Sequence, residues 1–220
     1  LNILCMNTEK ITFIKRILSH FFPYTIEKRN GEIDQSLEIS FVNGHYVLNS
    51  KDVNYSYGGL HKAFQYTFRK LDIRSFNPKF TLVLGFGAGS VGSILLDEYE
   101  LPGKLVGVEE DGTVIELGKK YFRIRNSRNL KVVKKDAYDF VRQEKKPYHL
   151  IIVDVYINNE VPFRFESRDF LNRCIRLLKP EGMLIFNKLV YDKKTRNEAY
   201  TIQETLEQLT GNAGIIKTKG

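Results

Sequence analysis

Apolar residues recur at two distinct periods along this chain, and the change of period marks its elements. In "ITFIKRILSHFF" the residues Ile11, Ile14, Ile17, Leu18 and Phe21 fall on one side of a helix, with Pro23 as its expected stop. "LEISFVNGHYVLNS" alternates instead, around Asn43-Gly44, and both residues tolerate the positive φ of a tight hairpin turn. "GGLHKAFQYTFRKLDI" returns to helical spacing and runs to Asn77-Pro78. From Lys79 onward strand and helix alternate. The predicted strands are "FTLVLG", "KLVGVE", "LKVVKKD", "YHLIIVDVY", "MLIFNKL" and "GIIKTK"; helical stretches such as "DGTVIELGKKYF", "AYDFVRQ", "SRDFLNRCIRLLK" and "NEAYTIQETLEQLT" lie between them. Repeated strand–helix units predict an α/β fold: a mostly parallel sheet covered by helices on both faces, with ligands at the carboxyl ends of its strands. We divide the chain into a helix and β-hairpin region, 1–75, and a nucleotide-binding domain, 76–220.

Composition changes this picture little. The 220 residues, 42% hydrophobic, suffice for one sizeable core. No apolar run reaches the length of a membrane span, and the start is too interrupted by charge for a signal peptide. Leu1 in the first position suggests that the native start lies upstream. Cys5 and Cys174 are far apart and form no metal pattern, so we expect reduced thiols in a cytoplasmic protein without a bound metal. The formal charge of +8 comes from scattered Lys and Arg, which reads as a solvated basic surface rather than a nucleic-acid site. Such a charge also weighs against a polycationic substrate.

Candidate chemistry begins at "FTLVLGFGAGSVGSILL", where a strand runs through a glycine-rich turn into a helix. The glycines allow two frames. From Gly87, "GAGSVG" satisfies GxGxxG, with Glu109 at the spacing of a dinucleotide ribose acid. From Gly85, "GFGAG" is the GxGxG loop of S-adenosylmethionine enzymes. Gly85 closes the strand, which favours the second frame. Glu109 then stands at the tip of the next strand, where a carboxylate can accept ribose hydroxyls. Asp136-Ala137 follow the third strand, where a carboxylate and a backbone N–H can meet the adenine edge. Asp154 ends the fourth strand.

Five segments in order, "LVLGFGAGS", "LVGVEEDGTVIELGKKYF", "VVKKDAYDFV", "YHLIIVDVY" and "FLNRCIRLLKPEGMLIFN", resemble the spermidine synthase-like group of the Rossmann-like methyltransferase fold. "NGHYVLNSKD" resembles that group's N-terminal β domain. The resemblance implies that Gly85, Gly87 and Gly89 approach the methionine part of S-adenosylmethionine, or of its decarboxylated form or methylthioadenosine. It further implies that Glu109 holds the ribose and that Asp136 and Ala137 hold the adenine. A homodimer is common in the group, as is a final hairpin beyond the point where this chain stops.

Spermidine synthases share a "DSSDP"-like segment and a "GGGDG" loop whose acids bind and deprotonate amines. This chain keeps the first of those acids as Asp154 but has Ile157 and Ala88 where two others belong, and "NYSYGGLHKAF" lacks the Tyr-His-Glu segment. We therefore expect an S-adenosylmethionine-dependent transferase acting on a small-molecule acceptor, by methyl transfer ahead of aminopropyl transfer to a polyamine. Asp154 is the expected catalytic group. Tyr156 and Tyr57 would line the acceptor side, joined by Asn158, Asn159, Tyr55 and His61. A protein that binds the nucleoside without catalysis is the alternative from another class, and a dinucleotide oxidoreductase is the third. The histidines show no metal-ligand spacing.

Overall fold

The computed structural model describes residues 13–33, 35–50, 59–122, 124, 127–157 and 160–218. Its centre is a five-stranded parallel sheet made of β4 (Phe80–Leu84), β5 (Lys104–Glu109), β6 (Leu130–Lys134), β7 (Tyr148–Val153) and β8 (Leu178–Phe186). The order across the sheet is β6-β5-β4-β7-β8. The chain thus builds outward from β4 in one direction and then returns to build outward in the other. This reversal opens a crevice at the carboxyl ends of β4 and β7, the usual ligand position in such sheets.

Strand periodicity divides the core in two. Leu82, Leu84, Ile151 and Val153 point to one face and meet Phe140 and Val141 of α6 (Ala137–Gln143), Phe165 of α7 (Phe163–Glu166) and Phe170 and Leu171 of α8 (Arg168–Arg176). The buried thiol of Cys174 and Ile202 of α9 (Lys193–Thr210) complete that layer. Val83, Leu150 and Ile152 point the other way. They pack against Val91 of α4 (Ser90–Ser93), which continues in a π-helical turn, Ile94–Glu98, carrying Ile94 and Leu95. Phe64 and Phe68 of α2 (Gly59–Lys70) and Ile73 of α3 (Ile73–Phe76) lie in the same cluster. α2 and α3 thus complete the apolar layer on this face of the sheet.

The N-terminal part forms a second, antiparallel sheet of β1 (Tyr24–Arg29), β2 (Leu37–Val42) and β3 (His45–Ser50). β2 and β3 meet at Asn43 and Gly44, whose φ values of 51° and 79° require residues that tolerate the left-handed region. Leu37, Ile39 and Leu48 rest on Val114 and Leu117 of α5 (Gly112–Tyr121). β1 was not foreseen, because "YTIEKR" carries little apolar signal. It is docked by Glu27, whose carboxylate accepts from Lys120 Nζ and Tyr121 OH on α5.

Two sequence expectations fail at chain punctuation. α1 (Phe13–Leu18) stops well before Pro23, which instead precedes β1. Ser19 Oγ donates to Arg16 O and accepts from Gly44 N, so the helix end is tied to the hairpin turn. The second failure is "GIIKTK", whose described residues, 214–218, form no strand. α9 closes at Gly211 (φ 73°), and the following residues fold back on it: Ala213 N donates to the Glu207 carboxylate and Gln203 Nε2 to Ala213 O. β8 remains the edge strand on that side among the described residues. No described helix is long and apolar enough to cross a membrane.

Candidate active site

The site is assembled where β4, β5 and β7 end. β4 passes into Gly85 at φ +79°, and a Cβ there would lie 2.3 Å from the carbonyl oxygen of Asp154. Only glycine allows the two strand exits to approach this closely. The N–H groups of Gly85 and Phe86 both donate to Val108 O, binding the turn to β5. Gly89, at φ +90°, forms the N-terminal cap of α4, where a Cβ would strike Ile124 Cδ1 at 2.7 Å.

Glu109 fastens this turn. Its Oε2 accepts from Gly87 N at 2.7 Å, and its Oε1 accepts from Glu110 N at 2.9 Å and Asp111 N at 3.0 Å. The side chain is buried, and desolvation raises its pKa against the opposing pull of these three amides. A carboxylate offers roughly four lone-pair directions, so three backbone bonds leave one for a ligand hydroxyl.

Asp111 is a site residue that the sequence reading passed over. Its Oδ1 caps α5 by accepting from Thr113 N and Val114 N at 2.8 and 3.2 Å, while Oδ2 accepts from Ile33 N at 3.0 Å. It thereby draws the β1–β2 connection to the rim of the crevice. An Asp immediately before Gly-Thr-Val at a helix start was the available signal for the cap, but nothing in sequence ties it to Ile33.

Asp136 caps α6, with Oδ1 accepting from Asp139 N at 2.8 Å, and Arg164 Nη2 donates to its Oδ2 at 2.6 Å. Ala137 lines the crevice beside it. Asp136→Asn keeps a residue that caps well and removes the charge facing Arg164. We expect thermal stability within about 0.5 kcal/mol of wild type and a several-fold loss of affinity for adenosyl ligands. Calorimetry beside thermal melts checks this, and a normal affinity would restrict Asp136 to capping and pairing.

Asp154 follows β7 and faces the crevice. Water reaches it through the opening, while protein encloses it on most sides. Burial pushes its pKa from 3.8 up to about 7, a rise that the charge of Glu109 adds to and a hydrogen bond from Asn187 Nδ2 at 2.8 Å opposes. Tyr156 places its ring on the crevice wall, and its hydroxyl donates to Asn187 O at 3.0 Å and accepts from Leu189 N at 2.8 Å. That hydroxyl is therefore engaged with the β8 exit. Asn187 was legible in sequence only as the end of a strand.

The resulting cleft is open to solvent on one side. Of the residues proposed from sequence, Gly85, Gly87, Glu109, Ala137, Asp154 and Tyr156 line it, as does Ile157. Gly89 lies beneath it in the α4 cap, and Asp136 stands at its edge without lining it. Ala88 is buried against Leu37, Ile39 and Val114, away from the cleft. His61 is buried in α2 with Nε2 2.6 Å from Glu98 Oε1 and does not line the cleft either. Tyr55, Tyr57, Asn158 and Asn159 lie outside the described residues.

The lining carries four carboxylates, Glu109, Glu110, Asp111 and Asp154, against one ammonium, Lys135. Lys135 Nζ is itself engaged by Gln143 Oε1. The cleft is thus acidic within a chain of formal charge +8, which corrects the expectation that net charge weighs against a cationic ligand. What a ligand meets is the local field, and low-dielectric walls concentrate it. No group of His, Cys, Asp and Glu suited to a metal ion occurs among the described residues.

Proteins similar to this chain include polyamine aminopropyltransferases and methyltransferases. The polyamine aminopropyltransferase of Vibrio vulnificus (strain CMCP6) is 29% identical over 154 residues, covering 64% of this chain and 51% of that protein. The chain spans about half the length of the curated relatives it matches first. Among solved structures, a probable spermidine synthase from Corynebacterium glutamicum ATCC 13032 superposes with a TM-score of 0.69 at 19% identity, covering 84% of this chain and 70% of that one. Human methyltransferase-like protein 13, solved in complex with SAH, superposes at 0.58 with 23% identity, covering 69% of this chain and 73% of its own. Both superpositions establish the Rossmann-like methyltransferase fold. The spermine/spermidine synthase domain matches residues 66–218, from within α2 to the tail after α9. By that match the chain belongs to the spermine/spermidine synthase family.

Proposed function

We propose that this domain transfers an aminopropyl group from decarboxylated S-adenosylmethionine to an amine of a polyamine. The observation that carries the reading is the acidic cleft, lined by four carboxylate residues and one ammonium, on a chain similar to several polyamine aminopropyltransferases. A sulfonium donor and a polyammonium acceptor both bring positive charge, and both are favoured by such a field. This reverses the order expected from the loss of acids at Ala88 and Ile157. Glu110 and Asp111, in the segment that carries Glu109, supply negative charge at positions other than those of the missing acids.

The donor's adenosine would lie along the β5 and β6 exits. Glu109 would accept a ribose hydroxyl, Asp136 the adenine amino proton, and the N–H of Ala137 would meet a ring nitrogen. Gly85 and Gly87 would border the sulfonium arm, and Gly89 beneath them would hold the turn in place. The attacking amine must lose a proton before it can displace the thioether. Asp154 is the group placed to take it, and a base whose pKa lies near the operating pH is the most effective one. The amine nitrogen then bonds to the propyl carbon, the carbon–sulfur bond breaks, and neutral methylthioadenosine leaves. Holding donor and acceptor in line supplies most of the remaining acceleration.

Methyl transfer is the second reading, and Ile157 favours it: an apolar residue lines the wall where a second acid for a diamine would be expected. Mass spectrometry with putrescine and either donor separates the readings. Spermidine and methylthioadenosine from the decarboxylated donor are the expected products. Methylated acceptor and S-adenosylhomocysteine would establish the second reading. Calorimetric binding of adenosyl ligands with no turnover of either donor would leave a nucleoside-binding domain.

A further inference from the structure

We propose that Asn187 is a positioning residue that fixes Asp154 in the geometry of a proton acceptor, an inference that rests on the reading of Asp154 as the base. The exits of β7 and β8 are laced together by four hydrogen bonds that all involve Asn187 or its partner Tyr156. Asn187 N donates to Val153 O at 2.8 Å, continuing the sheet by one residue. Tyr156 OH donates to Asn187 O at 3.0 Å and accepts from Leu189 N at 2.8 Å. The fourth bond is from Asn187 Nδ2 to Asp154 Oδ1 at 2.8 Å. The main chain of Asn187 is therefore held on both its N–H and its C=O before its amide reaches toward Asp154.

An amide held in this way has little freedom to lose, so its hydrogen bond is preorganised. It acts on the carboxylate in two respects. Bonding Oδ1 restricts rotation and leaves Oδ2 with no hydrogen-bond partner among the described residues, available to an acceptor amine. Donating to the ionised form also favours that form, against burial and the charge of Glu109. The groups facing Asp154 are Glu109 from the β5 exit, the Tyr156 phenol from its own segment and Asn187 from β8. Lys135 lines the same cleft but is engaged by Gln143. Lys188, next in sequence to Asn187, is turned into a buried pairing with Glu166 and Glu198 and leaves Asn187 as the donor.

The test is Asn187→Leu in the full chain, which keeps the side chain's size and removes its donor. The rising limb of the pH–kcat profile should move upward by about one unit, so that kcat near pH 6.5 falls about tenfold and recovers by pH 9. KM should change less than about threefold, because the leucine still packs where the amide did. An infrared titration of the Asp154 carboxyl, with Asp154→Asn as the subtraction reference, should show the same upward shift without any turnover. A loss of kcat that is equal at every pH, or an unmoved carboxyl titration, overturns the proposal. If Asp154→Asn turns over normally, the reading of Asp154 as the base fails, while the infrared shift still decides whether Asn187 controls that carboxyl.

Discussion

Asp154→Asn should reduce aminopropyl transfer by about 100-fold or more while leaving adenosyl ligands bound, the loss general-base removal typically causes. Asparagine fills the same space beside Asn187 but cannot accept a proton from the attacking amine. The same substitution should change stability with a definite sign. Asp154 in the unfolded chain titrates near its ordinary 3.8, and in the folded chain near 7. Between these values the folded state binds more protons than the unfolded one, so stability falls as pH rises from about 4 to about 7 and then levels off. The wild-type protein is therefore least stable where Asp154 is ionised. Removing the charge should stabilise the variant relative to wild type at pH 8, by about 1–3 kcal/mol given that cleft water partly solvates the group, with little difference near pH 4. Denaturant unfolding at the two pH values, alongside the mass-spectrometric assay, measures both effects. Undiminished transfer removes Asp154 from the chemistry, and an equal stability change at both pH values removes the raised pKa.

That trade between stability and ionisation was not legible in the sequence, although the position of Asp154 was. The apolar run of "YHLIIVDVY" marks a strand buried on both faces, and the first acid after it must emerge at the sheet's ligand edge. The same logic located Glu109, and the Asn43-Gly44 hairpin was readable because its turn demands residues of that type. The missing information was tertiary. Burial and the approach of Glu109 set the proton affinity of Asp154, and Asn187 comes from a strand 33 residues away. β1 was invisible for the same reason: its anchor is an ion pair between Glu27 and Lys120, 93 residues apart. "GIIKTK" failed in the opposite direction: it reads as a strand, but the residues after Gly211 turn back on α9 through Ala213.

The choice between the two transfers turned on a related point. Ala88 and Ile157 counted against a polyamine because acids are missing at motif positions. The cleft acquires acids elsewhere, from Glu110 and Asp111 at the start of α5. Asp111 is also the cap of that helix and the anchor of Ile33. One residue thus closes the rim, starts a helix and contributes negative charge. A motif count scores only the expected positions, whereas a ligand responds to the charge present.

Glu109→Ala should both loosen the glycine turn and weaken adenosyl binding, and the two effects can be separated. The carboxylate now accepts from Gly87, Glu110 and Asp111 N–H groups. Truncation leaves three donors in a site that only cleft water can reach. At about 1–3 kcal/mol for each donor left wholly without a partner, and less where water enters, a stability loss of about 3 kcal/mol is expected. The affinity of the folded variant for methylthioadenosine should fall by a further 1–3 kcal/mol, roughly 5- to 150-fold, if the fourth lone pair of Glu109 receives a ribose hydroxyl. Slackening of Gly87 alone would also weaken binding, but indifferently to the sugar. Measuring the same ligand without its ribose hydroxyls distinguishes the causes. Wild type should lose affinity when the hydroxyls are removed, and Glu109→Ala should not, because the partner is already gone. If the variant discriminates between the two ligands as strongly as wild type does, Glu109 braces the turn and some other group reads the ribose.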